Sequence, residues 1–274
     1  MPKKSAILTL GLIFCLCTSC AVNPITGQDQ FMLIPEQQDI TIGQQYAPEV
    51  EKQLGGRIIN ENLQNYIDNV GQGIAHISHR PDWEYHFIAV QDKSINAISL
   101  PGGYVFITKG MLTKLETEAQ LAAILAHEIT HIVARDSSAA ISRQIGIDIL
   151  LSAVTSEKTP QSVLRVADLT RQLLGLQYSR EQEQVADLGG LDYMVRAGYN
   201  PYGTVEVMQI LQSQQEIRPI EFLSTHPSPQ NRIDYLINKI QMDYYALEDL
   251  KVGQEDYRKA VLEQLSNQDS QIPN

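Results

Sequence analysis

The chain has 274 residues, 43% of them hydrophobic and 19% charged, which excludes a disordered or nucleic-acid-coating chain because both need a heavier charge bias. Its 21 basic side chains face 32 acidic ones, and the net charge of −11 opposes electrostatic capture of nucleic acid or anionic lipid. The length admits one large domain or two small ones, and the sequence carries no internal repeat and no low-complexity block.

The first residues read as targeting. Lys3 and Lys4 form a short positive region, Ala6 to Leu16 is an apolar stretch too short to cross a bilayer comfortably, and Thr18-Ser19 supplies small residues before Cys20. This predicts a signal peptide over 1–19. Small residues just ahead of a cysteine also resemble the bacterial lipobox, in which the signal is cut before the Cys and that Cys carries lipid, although Cys17 stands where the pattern prefers Leu. A lipoprotein anchored through Cys20 is expected, with a plainly secreted protein or an uncleaved membrane anchor as alternatives. All three cysteines, Cys15, Cys17 and Cys20, lie here. A chain beginning at Cys20 therefore has no internal disulfide, and its 19 basic against 32 acidic residues give −13. Any metal site must use His, Asp or Glu.

A turn-rich tether is expected over 20–34, punctuated by Pro24 and Gly27. Pro35 opens a helix through Glu51, with a kink or break at Pro48. A second helix runs from Glu61 to about Ser78, where Leu63, Ile67, Val70 and Ile74 recur at helical spacing. Both read as scaffold. Trp83 to Val90 alternates as a strand with Tyr85, Phe87 and Ala89 on one face, Ile95 to Leu100 is a second extended piece ending in the turn Pro101-Gly102-Gly103, and Tyr104 to Ile107 is a third. Within this small sheet Asn96, Ala97, Ile98, Ser99 and Leu100 form a candidate edge for an extended peptide substrate, with a plain structural hairpin as the alternative.

The run Glu118 to Arg135 is rich in Ala, Leu and Ile and interrupted by one polar set, His127-Glu128-Ile129-Thr130-His131. Positions i and i+4 share a helix face, so His127 and His131 can both turn a ring nitrogen toward one ion, while Glu128 projects beside it as a base for an activated water. This is the arrangement of H-E-x-x-H zinc proteases. A single buried histidine is commonly a hydrogen-bonded core residue; two of them with Glu128 in an apolar run call for a compensating cation.

Helix is then expected over Asp136 to Leu151, a polar break at Thr155 to Gln161, and helix again over Val163 to Leu176. Ser179 reads as an N-cap with Gln182 in capping-box position, starting a helix that Gly198 ends after Ala197. Its acidic residues are Glu181, Glu183 and Asp187. Glu183 and Asp187 share a face, so one could bind metal while the other orients a ligand histidine, but spacing leaves the choice open. Pro201 and Gly203 begin another helix to about Gln214, and amphipathic patterns follow Pro229 and lie near Tyr244.

In these residues the chain resembles the zinc metallopeptidase family that includes HtpX and the CAAX prenyl proteases, especially its exported BepA-like lipoprotein branch. The pattern H-E-x-x-H, then S-R-x-x-E-x-x-A-D, is met by His127, Glu128, His131, Ser179, Arg180, Glu183, Ala186 and Asp187. The resemblance covers most of the chain after Cys20, with further matches in Asn-Pro-Ile-Thr-Gly near the start and in Asn96 to Gly103. It implies one zinc per chain held by His127, His131 and Glu183, Glu128 as general base and Asp187 behind a ligand. In relatives the pair corresponding to His226-Pro227 and Arg232 faces the cleft. His226 is thereby expected either to hydrogen-bond the oxyanion of the tetrahedral intermediate or to occupy the open zinc position at rest, with Arg232 positioning it or the substrate. A surface loop histidine is the plain alternative. His76, His79 and His86 fit no ligand spacing.

The expected fold is α+β, mostly helical, a zincin-like metalloprotease domain over 35–265 with a small β-sheet beside the H-E-x-x-H helix and a frayed tail over 266–274. The expected protein is a zinc metalloendopeptidase facing the periplasm, lipid-anchored at Cys20 and at the outer membrane because Ala21, not Asp, follows. By resemblance its substrates are misfolded or stalled envelope proteins and its further partner outer-membrane assembly machinery, although docking through the C-terminal repeats of larger members is not implied. The rival is a periplasmic chaperone or assembly factor in which zinc is structural.

Overall fold

The computed structural model describes residues 20–155, 166–217, 219–226 and 231–269. The signal peptide expected over 1–19, the polar break from residue 156 onward, the loop residues Pro227 to Gln230 and the tail beyond Asp269 lie outside them.

Strands β1 (Cys20–Val22) and β2 (Asp29–Phe31) pair antiparallel. Between them the side chain of Asn23 accepts the Ile25 N–H at 2.9 Å, the turn chemistry that Asn provides. The segment expected as a tether is folded onto the body instead: Met32 and Ile34 are buried, and the Leu33 N–H bonds Ser142 Oγ at 2.9 Å. Helix α1 (Glu36–Gln53) continues past Pro48 rather than breaking there, with Tyr46, Ala47 and Val50 buried around it. Helix α2 (Glu61–Ala75), capped by Asn60, buries Leu63, Ile67, Val70 and Ile74 as their spacing requires.

Strands β3 (His86–Val90), β4 (Ala97–Leu100) and β5 (Tyr104–Thr108) form a sheet in the order β3-β5-β4, with β3 parallel and β4 antiparallel to the central β5. Alternation in β3 predicts one buried face, and both are buried. Phe87, Ala89, Val105 and Ile107 face the core shared with α2, whereas Ile88, Val90, Ile98 and Phe106 face a second core with Tyr46 and Val50 of α1. Strands covered on both sides read as apolar runs. The β4–β5 turn needs its glycines, since Gly103 has φ +95 and a Cβ there would strike the Glu84 carbonyl.

After the short α3 (Lys109–Leu112), Thr117 caps α4 (Glu118–Ala134), every residue of which is buried. A helix buried on every face must be central. Arg135 ends it in the left-handed region at φ 59, and α5 (Asp136–Thr155) and α6 (Val166–Leu174) follow. Helix α7 (Arg180–Arg196) starts with both halves of the Ser179–Gln182 capping box present. Then come α8 (Tyr202–Ile217), α9 (Glu221–Thr225) and α10 (Arg232–Asp243). Tyr244 is extended rather than helical; its ring lies by Lys239 and its hydroxyl reaches Asp192 on α7. A 3-10 turn, α11 (Gln254–Tyr257), a π turn over Arg258–Leu262 and α12 (Glu263–Asp269) close the described chain. Fraying from Ser266 is not observed through Asp269, because Leu265 is buried and Gln268 Nε2 donates to the Ile59 carbonyl at 2.9 Å.

Candidate metal centre

The site exists because α7 crosses α4 closely. At the crossing Gly190 meets Ala126 and His127, and a Cβ on Gly190 would lie 3.0 Å from the His127 backbone nitrogen. With no side chain between them, the helices bring Glu183 of α7 against the histidines of α4.

Four ligand atoms converge. His127 Nε2 lies 3.1 Å from His131 Nε2 and 3.2 Å from His226 Nδ1, and His226 Nδ1 is 2.8 Å from Glu183 Oε1. Glu183 Oε1 is also 3.4 Å from His131 Nε2. Among the described residues, His127, His131, Glu183 and His226 form a buried group whose donor atoms all lie within 4.8 Å of one another. The far nitrogens of both helix histidines face carboxylates: His127 Nδ1 is 3.1 Å from Asp187 Oδ1, and His131 Nδ1 is 2.8 Å from Asp136 Oδ2. An N–H toward each carboxylate leaves the two Nε2 lone pairs pointing at the same place. With both rings neutral, nitrogens 3.1 Å apart do not satisfy one another, whereas a proton on His131 or a cation between them and the carboxylate does; two or three imidazoles with one carboxylate are a zinc ligand set.

Glu128 is fully buried, and neither of its carboxylate oxygens has a hydrogen-bond partner. His226 Nε2 lies 3.5 Å from its Oε1. A buried carboxylate in that condition is costly unless it serves a cation or a bound polar molecule.

Behind the cluster, Arg232 grips Asp187 with Nε at 2.7 Å and Nη2 at 2.5 Å. Its Nη1 lies 3.1 Å from Glu183 Oε2, an ion pair whose angles do not make a hydrogen bond, and Tyr235 also donates to Asp187. Arg232, expected to position His226 or the substrate, therefore holds Glu183 and Asp187 instead.

Charge follows from these contacts. Burial disfavours a charged imidazole at His131, yet Asp136 and Glu183 outweigh it and push the group up to about 10. At His127 burial wins over Asp187 and Glu183, and the pKa falls. Burial would raise Glu183, but His226, His131 and His127 hold it well below the usual carboxylate range. Asp187 is likewise held low against burial by Arg232 and His127.

The structure thus brings His127, Glu128, His131, Glu183, Asp187 and His226 together. His226, for which a surface loop position is the plain alternative, is 1% exposed and stacks on Phe222 at 4.4 Å. The edge candidate 96–100 does lie on the outer strand of the sheet, but every residue in it is buried. Phe222 of α9 helps cover its start, donating its N–H to the Ile95 carbonyl at 3.1 Å. His79 pairs with the Tyr193 hydroxyl at 2.6 Å and His86 stacks on Tyr104, both away from the cluster.

Three participants escaped sequence reading. Asp136 bonds His131, Tyr178 stacks on His131 with ring centroids 3.9 Å apart, and Asp39 pairs with Arg135 at 2.5 Å where α4 ends. For Asp136 and Arg135 the signal was the polar run Arg-Asp-Ser-Ser directly after the motif; nothing local marked Asp39, about a hundred residues earlier.

Residues 61–240, which span the whole donor set, match the sequence profile of peptidase family M48. The chain is 27% identical over 245 residues to the beta-barrel assembly-enhancing protease of Escherichia coli (strain K12), covering 83% of this chain and 49% of that protein. It is 26% identical over 245 residues to the putative beta-barrel assembly-enhancing protease of Vibrio cholerae, covering 81% and 50%. It is 30% identical over 220 residues to the mitochondrial metalloendopeptidase OMA1 of Schizosaccharomyces pombe, covering 77% and 63%. The chain spans about half the length of the bacterial relatives it matches.

Proposed function

The chain belongs to peptidase family M48, and from that premise we propose that it is a zinc-dependent endopeptidase of the bacterial cell envelope acting on misfolded or stalled envelope proteins. The observation that carries the reading is the convergence of His127, His131 and Glu183 beside Glu128, a buried carboxylate with no hydrogen-bond partner.

His127, His131 and Glu183 would hold the ion. Zinc bound there would supply Lewis acidity, polarising the scissile carbonyl and lowering the pKa of a water toward neutrality. Glu128 takes the proton of the attacking water and then delivers it to the leaving amine. Asp187 orients His127, and Arg232 fixes both Asp187 and Glu183.

The substrate lies along β4. Thr108 N–H donates to the Asn96 carbonyl at 3.1 Å, so ladder alternation turns the main-chain groups of Ala97 and Ser99 away from β5. The Ala97 N–H is taken by Asn96 Oδ1 at 3.0 Å, and the Ala97 carbonyl and the Ser99 N–H and carbonyl face the side of an added strand. Burial of that edge supports a resting, closed form in which His226 occupies the fourth ligand position. Of the two roles open to His226, the 2.8 Å and 3.2 Å contacts of its Nδ1 with Glu183 and His127 favour the blocking one. Lipidation of Cys20 and, with Ala21 following it, an outer-membrane location complete the reading. No helix among the described residues is long and apolar enough to cross a membrane.

The same four-donor cluster favours a second reading, since structural zinc sites close with four protein ligands. A chaperone or assembly factor with structural zinc has no use for Glu128, however. Zinc content and casein proteolysis of wild type and Glu128→Gln separate the two: cleavage by wild type alone supports the peptidase, and zinc-loaded wild type that only suppresses aggregation supports the chaperone.

A further inference from the structure

Asp136 lies two residues beyond the end of the H-E-x-x-H helix, and an uninterrupted helix would carry it about 140° around the axis from His131. It reaches His131 because Arg135 adopts the left-handed conformation at φ 59 and folds the chain back. That conformation is costly for a side chain with a Cβ, and here it is held in place: Arg135 donates to Asp39 at 2.5 and 3.0 Å and to the Ile34 carbonyl at 2.7 Å, while Ser138 Oγ donates to the same Asp39 carboxylate at 2.7 Å.

Asp136 is 3% exposed, and its two oxygens serve different elements. Oδ2 is 2.8 Å from His131 Nδ1; Oδ1 accepts from Gln182 Nε2 at 2.7 Å. Gln182 is the capping-box residue of α7, and its other amide atom accepts the Ser179 N–H at 3.0 Å. Gln182 stands immediately before Glu183. One carboxylate therefore joins the second histidine of α4 to the first turn of the helix that supplies the acidic ligand.

We propose that Asp136 is a positioning residue of the metal centre, fixing His131 as an Nε2 ligand and setting the register of Glu183 against it through Gln182. The inference rests on the metallopeptidase reading above. It goes beyond the Asp187 contact with His127, because it provides the second histidine with a carboxylate of its own and ties it to the third ligand. Carboxylates behind metal-bound histidines typically contribute about 10- to 100-fold in metal affinity.

The test measures zinc affinity by chelator competition and the visible spectrum of the cobalt-substituted full chain, with thermal melting to confirm folding. Asp136→Ala is expected to bind zinc about 10- to 100-fold more weakly, with an altered cobalt spectrum, and Asp136→Asn, which keeps an acceptor for the His131 N–H, falls between it and wild type. Gln182→Ala is expected to weaken binding by a smaller factor, whereas Ser179→Ala, which breaks the same cap without touching Asp136, keeps wild-type affinity. Folded Asp136→Ala with wild-type affinity and spectrum overturns the proposal, as does equal weakening by Gln182→Ala and Ser179→Ala. Should Asp136→Ala fail to fold, wild-type affinity in both Asp136→Asn and Gln182→Ala overturns it. A wild type that binds zinc but cleaves nothing refutes the peptidase reading and leaves this inference to its own result.

Discussion

His226 Nδ1 lies 2.8 Å from Glu183 Oε1, so a histidine from the loop after α9 sits on a carboxylate that also reaches His131. On the blocking role proposed for it, His226 in that position would fill the fourth ligand place from the protein itself. His226→Ala is therefore expected to raise casein turnover several-fold while weakening zinc retention. A fall in turnover by a folded variant with full zinc content would assign His226 to the oxyanion instead.

His131 is pushed up to about 10, so after chelator treatment it carries a proton at neutral pH. Because the folded-state pKa is raised, its contribution to the stability of the chelated protein is complete below the unfolded value near 6.5 and fades as pH rises through about 10. Zinc must displace that proton. Calorimetric titration at pH 7.5 in buffers of different ionisation enthalpy is expected to report release of about one proton per zinc and an apparent affinity that rises with pH. Binding with no proton release would contradict the protonated His131.

Gly190→Ala pits two effects against each other. Alanine gains about 1 kcal/mol over glycine in a helix, but its Cβ would stand 3.0 to 3.2 Å from backbone atoms of α4 that have no room to give, and overpacking costs about 1–3 kcal/mol. Packing decides, so denaturant unfolding is expected to show a net loss of about 1 kcal/mol, accompanied by weaker zinc binding.

Arg232→Met would leave Asp187 and Glu183 buried without their cation. Loss of one partner of a buried pair costs about 3–5 kcal/mol, against about 1 kcal/mol for removing a single neutral hydrogen-bond donor. Arg232→Met is expected to unfold at much lower denaturant than wild type, and Tyr235→Phe, which deletes the hydroxyl on Asp187, at only slightly lower.

What the sequence made legible was local. The i, i+4 spacing of His127 and His131, the capping box of Ser179 and Gln182 and the glycine turn before Tyr104 each depend on neighbours within a few residues, and each is realised. Glu183 was one of three acidic residues until resemblance chose it, because only the crossing of α7 over α4 selects among them. Burial of both faces of β3, the reach of Arg135 to Asp39 and the return of Asp136 to His131 come from distant segments meeting or from one left-handed residue, and no periodicity encodes them. Resemblance alone suggested that Arg232 faces the cleft; its guanidinium lies between two buried carboxylates, Asp187 and Glu183, whose charge no local pattern reveals.

The central claim is that Glu128 moves the proton in a zinc-dependent hydrolysis. Its most direct measurement is casein cleavage by zinc-loaded wild type and by Glu128→Gln, which keeps the shape of the side chain and all the proposed ligands. Equal zinc content and a turnover about 10²- to 10⁴-fold lower in the variant are expected. Equal turnover in the two proteins, or none in either, would contradict that claim.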